Sequence, residues 1–426
     1  MDKPKLRHVE ALPLRQRGRV FIQLHDPARI SDKVLVVPQE MLFLLSLFDG
    51  TNTVQDIQAA LLRQFGELVF AEKIQEIIQQ LDDALMLDSR RFRARVGEIA
   101  EEFRRCPVRP PCSAGSGYPA NPLELGATLD ALLALAEEPS GAGHGESRVT
   151  RHASSATCHS SLATPHSPLV GLIAPHIDFE RGGPSYAHAY KALAEECPAD
   201  LFVVFGTAHQ AQNALFTLTR KSFETPLGTL PTNAELVEAL ASRYRRKPFA
   251  EELLHKNEHS IEFQVLCLQH VLRGRQVELL PILCGSMERK VGSRKSPRHV
   301  AEIRDFLDAL RDVLAESGRQ VCTIAGADLS HVGRQFGDEY ELTPQVMADV
   351  ERADREMLAH VERLDADAFY DCVRADGNAR HVCGVPPIYA LLAATPASRC
   401  TLLDYRQATD YDLQRSVTFA SLALYK

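Results

Sequence analysis

Five side chains able to hold a metal or move a proton stand in loops that follow short apolar runs: His176, His209, Asp328, His331 and Cys383. The segments read GLIAPHIDF, LFVVFGTAH, CTIAGADLSH and HVCGVPPI. Loops at the carboxyl ends of strands in an α/β sheet converge on one crevice. Imidazole, carboxylate and thiolate meeting there are the ingredients of a transition-metal site. A single His beside a strand is most often a hydrogen-bonded structural residue; loops of one kind collecting five such groups argue for a shared site. Asp328 and His331 are three apart, a spacing that on a helical turn places both on one face. Gly384 next to Cys383 permits close backbone approach. The segment NEHSIEFQ adds Glu258, His259 and Glu262. His259 and Glu262, at helical spacing, are expected to orient the ligands through hydrogen bonds.

These loops need a sheet to carry them. From Leu169 onward strand-like runs (LVGLIAP, DLFVVFG, LFTLTR, VELLPILCG, QVCTIAGAD, RCTLLDY, VTFASLALY) alternate with helical ones (PSYAHAYKALAEE, NAELVEALASRY, EFQVLCLQHVL, AEIRDFLDALRDVLAES, PQVMADVERADREMLAHV). Such alternation predicts an α/β fold with a largely parallel central sheet flanked by helices. Before it, RVFIQLH and KVLVVP are extended runs separated by a turn-rich DPARISD, followed by three short amphipathic helical stretches up to Leu87. The chain therefore divides into a small winged-helix-like module over residues 1–90, a charged helical connector over 91–109 and an α/β domain over 110–426. Within the last, the Gly-, Ser- and His-rich stretch 137–167 has too little apolar surface to offset its ordering entropy and is expected to be a flexible insertion. Its His and Cys residues match no closed metal-site spacing.

The 426 residues suit two or three domains at roughly 150 residues each, and the net charge of -8 argues against a general nucleic-acid binder. No apolar run is long enough to span a bilayer, and the charged N-terminal stretch lacks the apolar centre of a secretory signal. Ten scattered Cys without a CxxC pair read as reduced thiols, so a cytoplasmic protein is expected.

Two family resemblances add to this reading. The early extended pair, LFDGTNTVQDI and LDDALMLD resemble PqqD-like peptide-recognition domains over about the first fifth of the chain. That resemblance implies peptide binding by strand addition, for which RVFIQLH is expected to offer an open edge. From Pro110 onward, SAGSGYPANPLEL, APHIDFERGGPSYAHAY, GTAHQ, FETPLGTLPTN, NEHSIEFQ, PILCGS, GADLSHVG and CGVPPI occur in order and resemble the MEMO-like family, including the AmmeMemoRadiSam system protein B type. The resemblance implies a fold similar to class III extradiol dioxygenases. It also implies His176, His209 and Cys383 as metal ligands, with Asp328 and His331 as neighbours in the cleft. This chain departs from the family pattern in GTAHQ, where many members carry consecutive His, and in Asp178-Phe179.

The reading that follows is a metal-binding protein with a His/His/Cys site and redox or oxidative chemistry on an unknown small molecule or peptide. Iron is the first expectation from the dioxygenase relation; the thiolate favours copper or zinc. His331 would be the general acid/base and Asp328 would set its tautomer. A binding module without catalysis, acting with radical-SAM and AMMECR1-like partner proteins, is the second reading. A hydrolase with Cys383 as nucleophile and His331 or His381 as base is the third. No nucleic-acid or membrane partner is expected.

Overall fold

The computed structural model describes residues 2–16, 19–136, 167–211, 213–292 and 296–426. Nearly all of the expected insertion at 137–167 lies outside the described residues. The chain forms two compact units, Met1–Cys106 and Pro107–Lys426.

In the first unit, β1 (Glu10–Gln16), β2 (Arg19–His25) and β3 (Leu35–Pro38) form an antiparallel sheet in the order β1-β2-β3. Helices α1 (Met41–Ser46), α2 (Val54–Phe65) and α3 (Ala71–Asp83) follow, and α4 (Arg90–Arg105) takes up the charged stretch. Thr53 closes a capping box with Asp56 at the start of α2, and Gly66 ends that helix in the left-handed conformation. Ile22, Leu24, Ile57, Leu61, Ile74 and Ile78 make the core of this unit. The sequence reading saw β2 and β3 but not β1. Pro13 sits in β1 opposite Ile22, and an edge strand tolerates a proline that cannot donate to the ladder. The consequence is a correction: RVFIQLH is the central strand, bonded on both sides, and offers no open edge.

The second unit runs β4 (Val108–Arg109), α5 (Pro122–Ala134), β5 (Leu169–Ala174), α6 (Phe179–Glu196), β6 (Leu201–Thr207), β7 (Phe216–Leu218), β8 (Ser222–Thr225), β9 (Gly228–Leu230), α7 (Ala234–Tyr244), α8 (Leu254–Asn257), α9 (Glu262–Val271) and β10 (Glu278–Cys284). It continues with α10 (Glu288–Val291), α11 (Ala301–Glu316), β11 (Val321–Gly326), β12 (His331–Val332), α12 (Pro344–Glu362), α13 (Ala366–Ala375), α14 (Val385–Ala394), β13 (Arg399–Asp410) and β14 (Arg415–Tyr425). The large sheet has the order β12-β14-β5-β11-β6-β10-β7, with β13 on β14. Its centre, β5-β11-β6-β10, is parallel; β7 and β14 join it antiparallel. Alternate residues of one strand serve opposite layers. Val203 and Phe205 face a core closed by α7, α11 and α14, whereas Phe202 and Val204 face one closed by α5, α6 and α9. Helices on both faces are what a parallel centre requires.

Two helices differ from the expected pattern. α6 starts at Phe179, capped by Asp178, and carries Gly182, Gly183 and Pro184 inside its first turns. A Cβ at Gly182 would stand 2.7 Å from Ile177 Cγ2, so close approach explains that glycine. α14 has no polar face: nearly every residue is buried, and Pro386 and Pro387 occupy its first turn. A helix apolar all round carries no period to read.

Candidate metal centre

Three adjacent parallel strands end level with one another, Ala174 pairing with Gly326 and Gly326 with Gly206. The residues just beyond these ends are His176, Asp328 and His209. Cys383 comes from the other direction, immediately before the N-terminus of α14. Gly384 permits this: a Cβ there would lie 2.4 Å from the Asp328 carbonyl oxygen, to which the Gly384 N–H donates at 3.1 Å. The loop 258–261 crosses over the strand ends, and a Cβ at Gly206 would meet Ile261 and Ser260 at 2.6 Å.

One ligand atom each from His176, His209 and Cys383 lies within 4.8 Å of the others. Cys383 Sγ is 3.5 Å from His176 Nε2. His176 and Asp328 are each only 2% exposed, while His209 is the most open of the group. Both imidazoles are held by their other nitrogen. His176 Nδ1 is 2.9 Å from the Gly326 carbonyl and His209 Nδ1 is 3.0 Å from Glu258 Oε2. Donation from Nδ1 leaves the Nε2 lone pair of each ring available, the arrangement that orients metal-binding His.

The charges follow from this packing. Burial pushes the Cys383 thiol up, but the His176 and His331 imidazoles and hydrogen bonds from His176 and His209 outweigh it and bring it down to about 5. Cys383 is therefore a thiolate at neutral pH. Burial lowers His176, but Asp328 and Cys383 prevail and raise it to about 9. His209 is also raised, Glu258 overcoming the effect of burial. An anionic pocket that draws protons onto buried imidazoles has the charge and the donors to hold a cation instead.

Asp328 differs from the sequence reading. Residues 327–330 are not helical. Its Oδ1 accepts from the backbone N–H of His176 at 2.9 Å and of Ile177 at 3.2 Å, and its Oδ2 is 3.5 Å from His176 Nε2. Asp328 thus serves His176 rather than His331. His331 lies in β12, its Nδ1 3.1 Å from the Leu329 carbonyl and its ring edge-on to Phe336. It is near enough to Cys383 for its charge to favour the thiolate.

Glu258, His259 and Glu262 separate. Glu258 bonds His209 and also accepts from the Ser260 N–H at 3.0 Å. The His259 ring lies parallel to His209, centroids 5.4 Å apart, and edge-on to His176 at 5.5 Å. Glu262 turns away: it pairs with buried Arg109, accepts from Tyr118, and takes the Cys112 and Ser113 N–H groups at 2.8 and 2.9 Å. It anchors the segment after β4 and orients no ligand. Sequence reasoning missed Arg109 and Gln264. Gln264 Nε2 donates to the Pro175 carbonyl at 2.8 Å and so ties the His176 loop to α9. The signal for Gln264 was a lone amide within the apolar run EFQVLCL.

Beside the centre opens a cavity of about 330 Å³ whose lining includes His209, Cys383, Met287, Tyr370, Val373 and Pro386. Its wall is mostly apolar, with Arg374, Asn378 and His381 among its polar members.

Comparison with known proteins places these features in context. Residues 109–423 match the family model described as "Memo-like protein". A "MEMO1 family protein" of Aquifex aeolicus is 28% identical over 99% of this chain and 100% of its own length. A Thermus thermophilus "MEMO1 family protein" is 27% identical over 71% of this chain and 78% of its own, and one from Methanosarcina acetivorans 29% identical over 59% and 84%.

Proposed function

This chain belongs to the Memo-like family, and we propose that it holds a first-row transition metal on His176, His209 and Cys383 and uses it in redox chemistry on a small molecule seated in the adjoining cavity. The observation that carries this reading is the donor set itself: two imidazoles with Nδ1 already committed, and a thiolate, within 4.8 Å. Thiolate and imidazole together suit iron, copper or zinc; iron is our choice, because the three donors grouped among the described residues are one short of a closed four-ligand structural zinc site.

A metal bound there supplies Lewis acidity and, if iron or copper, one-electron chemistry. The remaining work falls to the protein. Asp328 fixes the His176 backbone and offsets its charge. Glu258 holds His209. The apolar wall of Met287, Val373 and Pro386 excludes water from a bound molecule. His331, beside Cys383, is the acid/base group of this reading. The cavity volume, near the lower end for ligand pockets, suits a small molecule or a single peptide side chain.

The His176–Cys383 pair also resembles the start of a thiol nucleophile. The N–H of Gly384, the residue after that thiol, is already engaged by the Asp328 carbonyl and is not free to meet an oxyanion. This favours the metal reading over hydrolysis. Purification without chelators followed by elemental analysis tests it. At least one iron per chain is expected, with one equivalent lost in Cys383→Ser. Metal-free activity abolished by thiol alkylation would overturn it.

A further inference from the structure

We propose that a second cation position is formed by His209 Nδ1, Glu258 and His259, so that the His209 ring bridges two metals. The proposal shares His209 with the centre above and in that sense rests on the same reading. Ligand atoms of His209, Glu258 and His259 lie within 4.8 Å of one another, forming a group distinct from the one that contains Cys383. Glu258 stands between the rings. Its Oε2 is 3.0 Å from His209 Nδ1 and its Oε1 is 3.5 Å from His259 Nδ1. The carboxylate is nearly buried, and among the described residues its ion pairs are with these two imidazoles. Lysine or arginine would ordinarily be expected beside such a desolvated charge.

The donor chemistry differs on the two sides of the ring. Toward Cys383 the set is imidazole, imidazole and thiolate, which is soft. Toward Glu258 it is two imidazoles and one carboxylate, the set that suits a harder divalent ion such as iron(II), manganese(II) or zinc(II) and leaves other coordination positions open. The second set is also more accessible, since 38% of the His259 side chain and 33% of the His209 side chain face solvent. Filling both positions has a proton cost that balances simply. His209 now donates its Nδ1–H to Glu258. As the second cation binds, that proton leaves to solvent, Nδ1 becomes a ligand, and Glu258 Oε2 turns from acceptor to ligand. No electron is exchanged.

Cobalt(II) is the probe, added anaerobically to the chelator-treated full chain because a thiolate is oxidisable. The wild type should retain two cobalt ions per chain after gel filtration. One should give a thiolate-to-cobalt charge-transfer band in the near ultraviolet, and the pair should show spin coupling through the shared ring. His259→Ala should retain one ion with that band intact and uncoupled. Cys383→Ser should lose the band yet keep the Glu258 position filled. A wild type that binds one ion, with the thiolate band, overturns the second position and leaves the first standing. A second ion that persists in His259→Ala or shows no coupling is surface binding and also overturns it. Absence of the thiolate band, with an ion that His259→Ala removes, instead supports this position and overturns the reading of the first. Should His259→Ala lose both ions, His259→Gln, which keeps the volume, decides; losing both again overturns the proposal.

Discussion

Arg109→Met should be among the most damaging single changes in the second unit, and its size can be worked from the contacts. Arg109 is fully buried and pairs with Glu262, which is equally buried. Its Nε donates to the His255 carbonyl at 2.8 Å and one terminal nitrogen to the Glu258 carbonyl at 2.6 Å. Methionine fills much of the volume but removes every donor. Glu262 would keep hydrogen bonds from Tyr118, Cys112 and Ser113 and would lose the one counter-charge it has among the described residues. Removing one partner of a buried pair costs about 3–5 kcal/mol, because the other charge is left uncompensated. Glu262→Gln in the same chain removes that charge, so the double variant should be less destabilised than the sum of the single ones, by about 1–3 kcal/mol. Urea unfolding followed by far-ultraviolet circular dichroism measures this, since the chain has no Trp to report by fluorescence. A functional effect should accompany it: of the carbonyls that Arg109 holds, one is that of Glu258 itself and the other belongs to α8 just before it, so metal affinity should drop about tenfold, at the low end for groups that orient ligands. A cost below about 1 kcal/mol, or strict additivity with Glu262→Gln, would refute the reasoning.

Cys383→Ser should abolish tight binding at the His176–His209–Cys383 centre, whereas Cys284→Ser, at the buried end of β10, should change affinity there less than about threefold; competition with a chromogenic chelator distinguishes them. Because His176 is raised to about 9, its proton competes with the metal. Affinity should therefore rise with pH up to about 9, and binding at neutral pH should release that proton, which titration in buffers of different ionisation enthalpy will show. His331→Ala should leave the melting temperature nearly unchanged but raise the Cys383 pKa, seen as a shift of the iodoacetamide rate profile to higher pH; an unmoved profile would separate His331 from the centre. In the first unit, Asp26 accepts from Arg7 and from the Ala28, Ile30 and Ser31 N–H groups, so Asp26→Ala should cost about 2–4 kcal/mol. Burial alone would raise the Asp26 carboxyl, but Arg7 and the backbone donors hold it below its ordinary range. Its contribution is thus complete above about pH 4 and is lost as the pH falls through the lower folded value, which acid titration of the unit's circular dichroism can follow.

How far the centre could be read from the chain depends on where period and type carry information. His176 and His209 follow runs that could only be buried strands, and such strands end at the crevice, so their place was legible. Cys383 was legible by its residue type and small neighbours, although the helix that presents it was not, since VPPIYALLAA is apolar on every side and shows no period. The errors share one cause. Asp328 and His331 are three apart, and so are His259 and Glu262, but in neither pair do both residues lie on a helix. Helical spacing was assumed where the backbone is extended or turning, and there neighbours in sequence diverge. Asp328 consequently turns to the backbone of His176, and Glu262 turns to Arg109, a partner 153 residues away that no local pattern could supply. The same divergence is what leaves Glu258 between His209 and His259. Its two oxygens meet one imidazole each, and the proposed second cation position depends on the loop 258–261 crossing the strand ends before α9 begins.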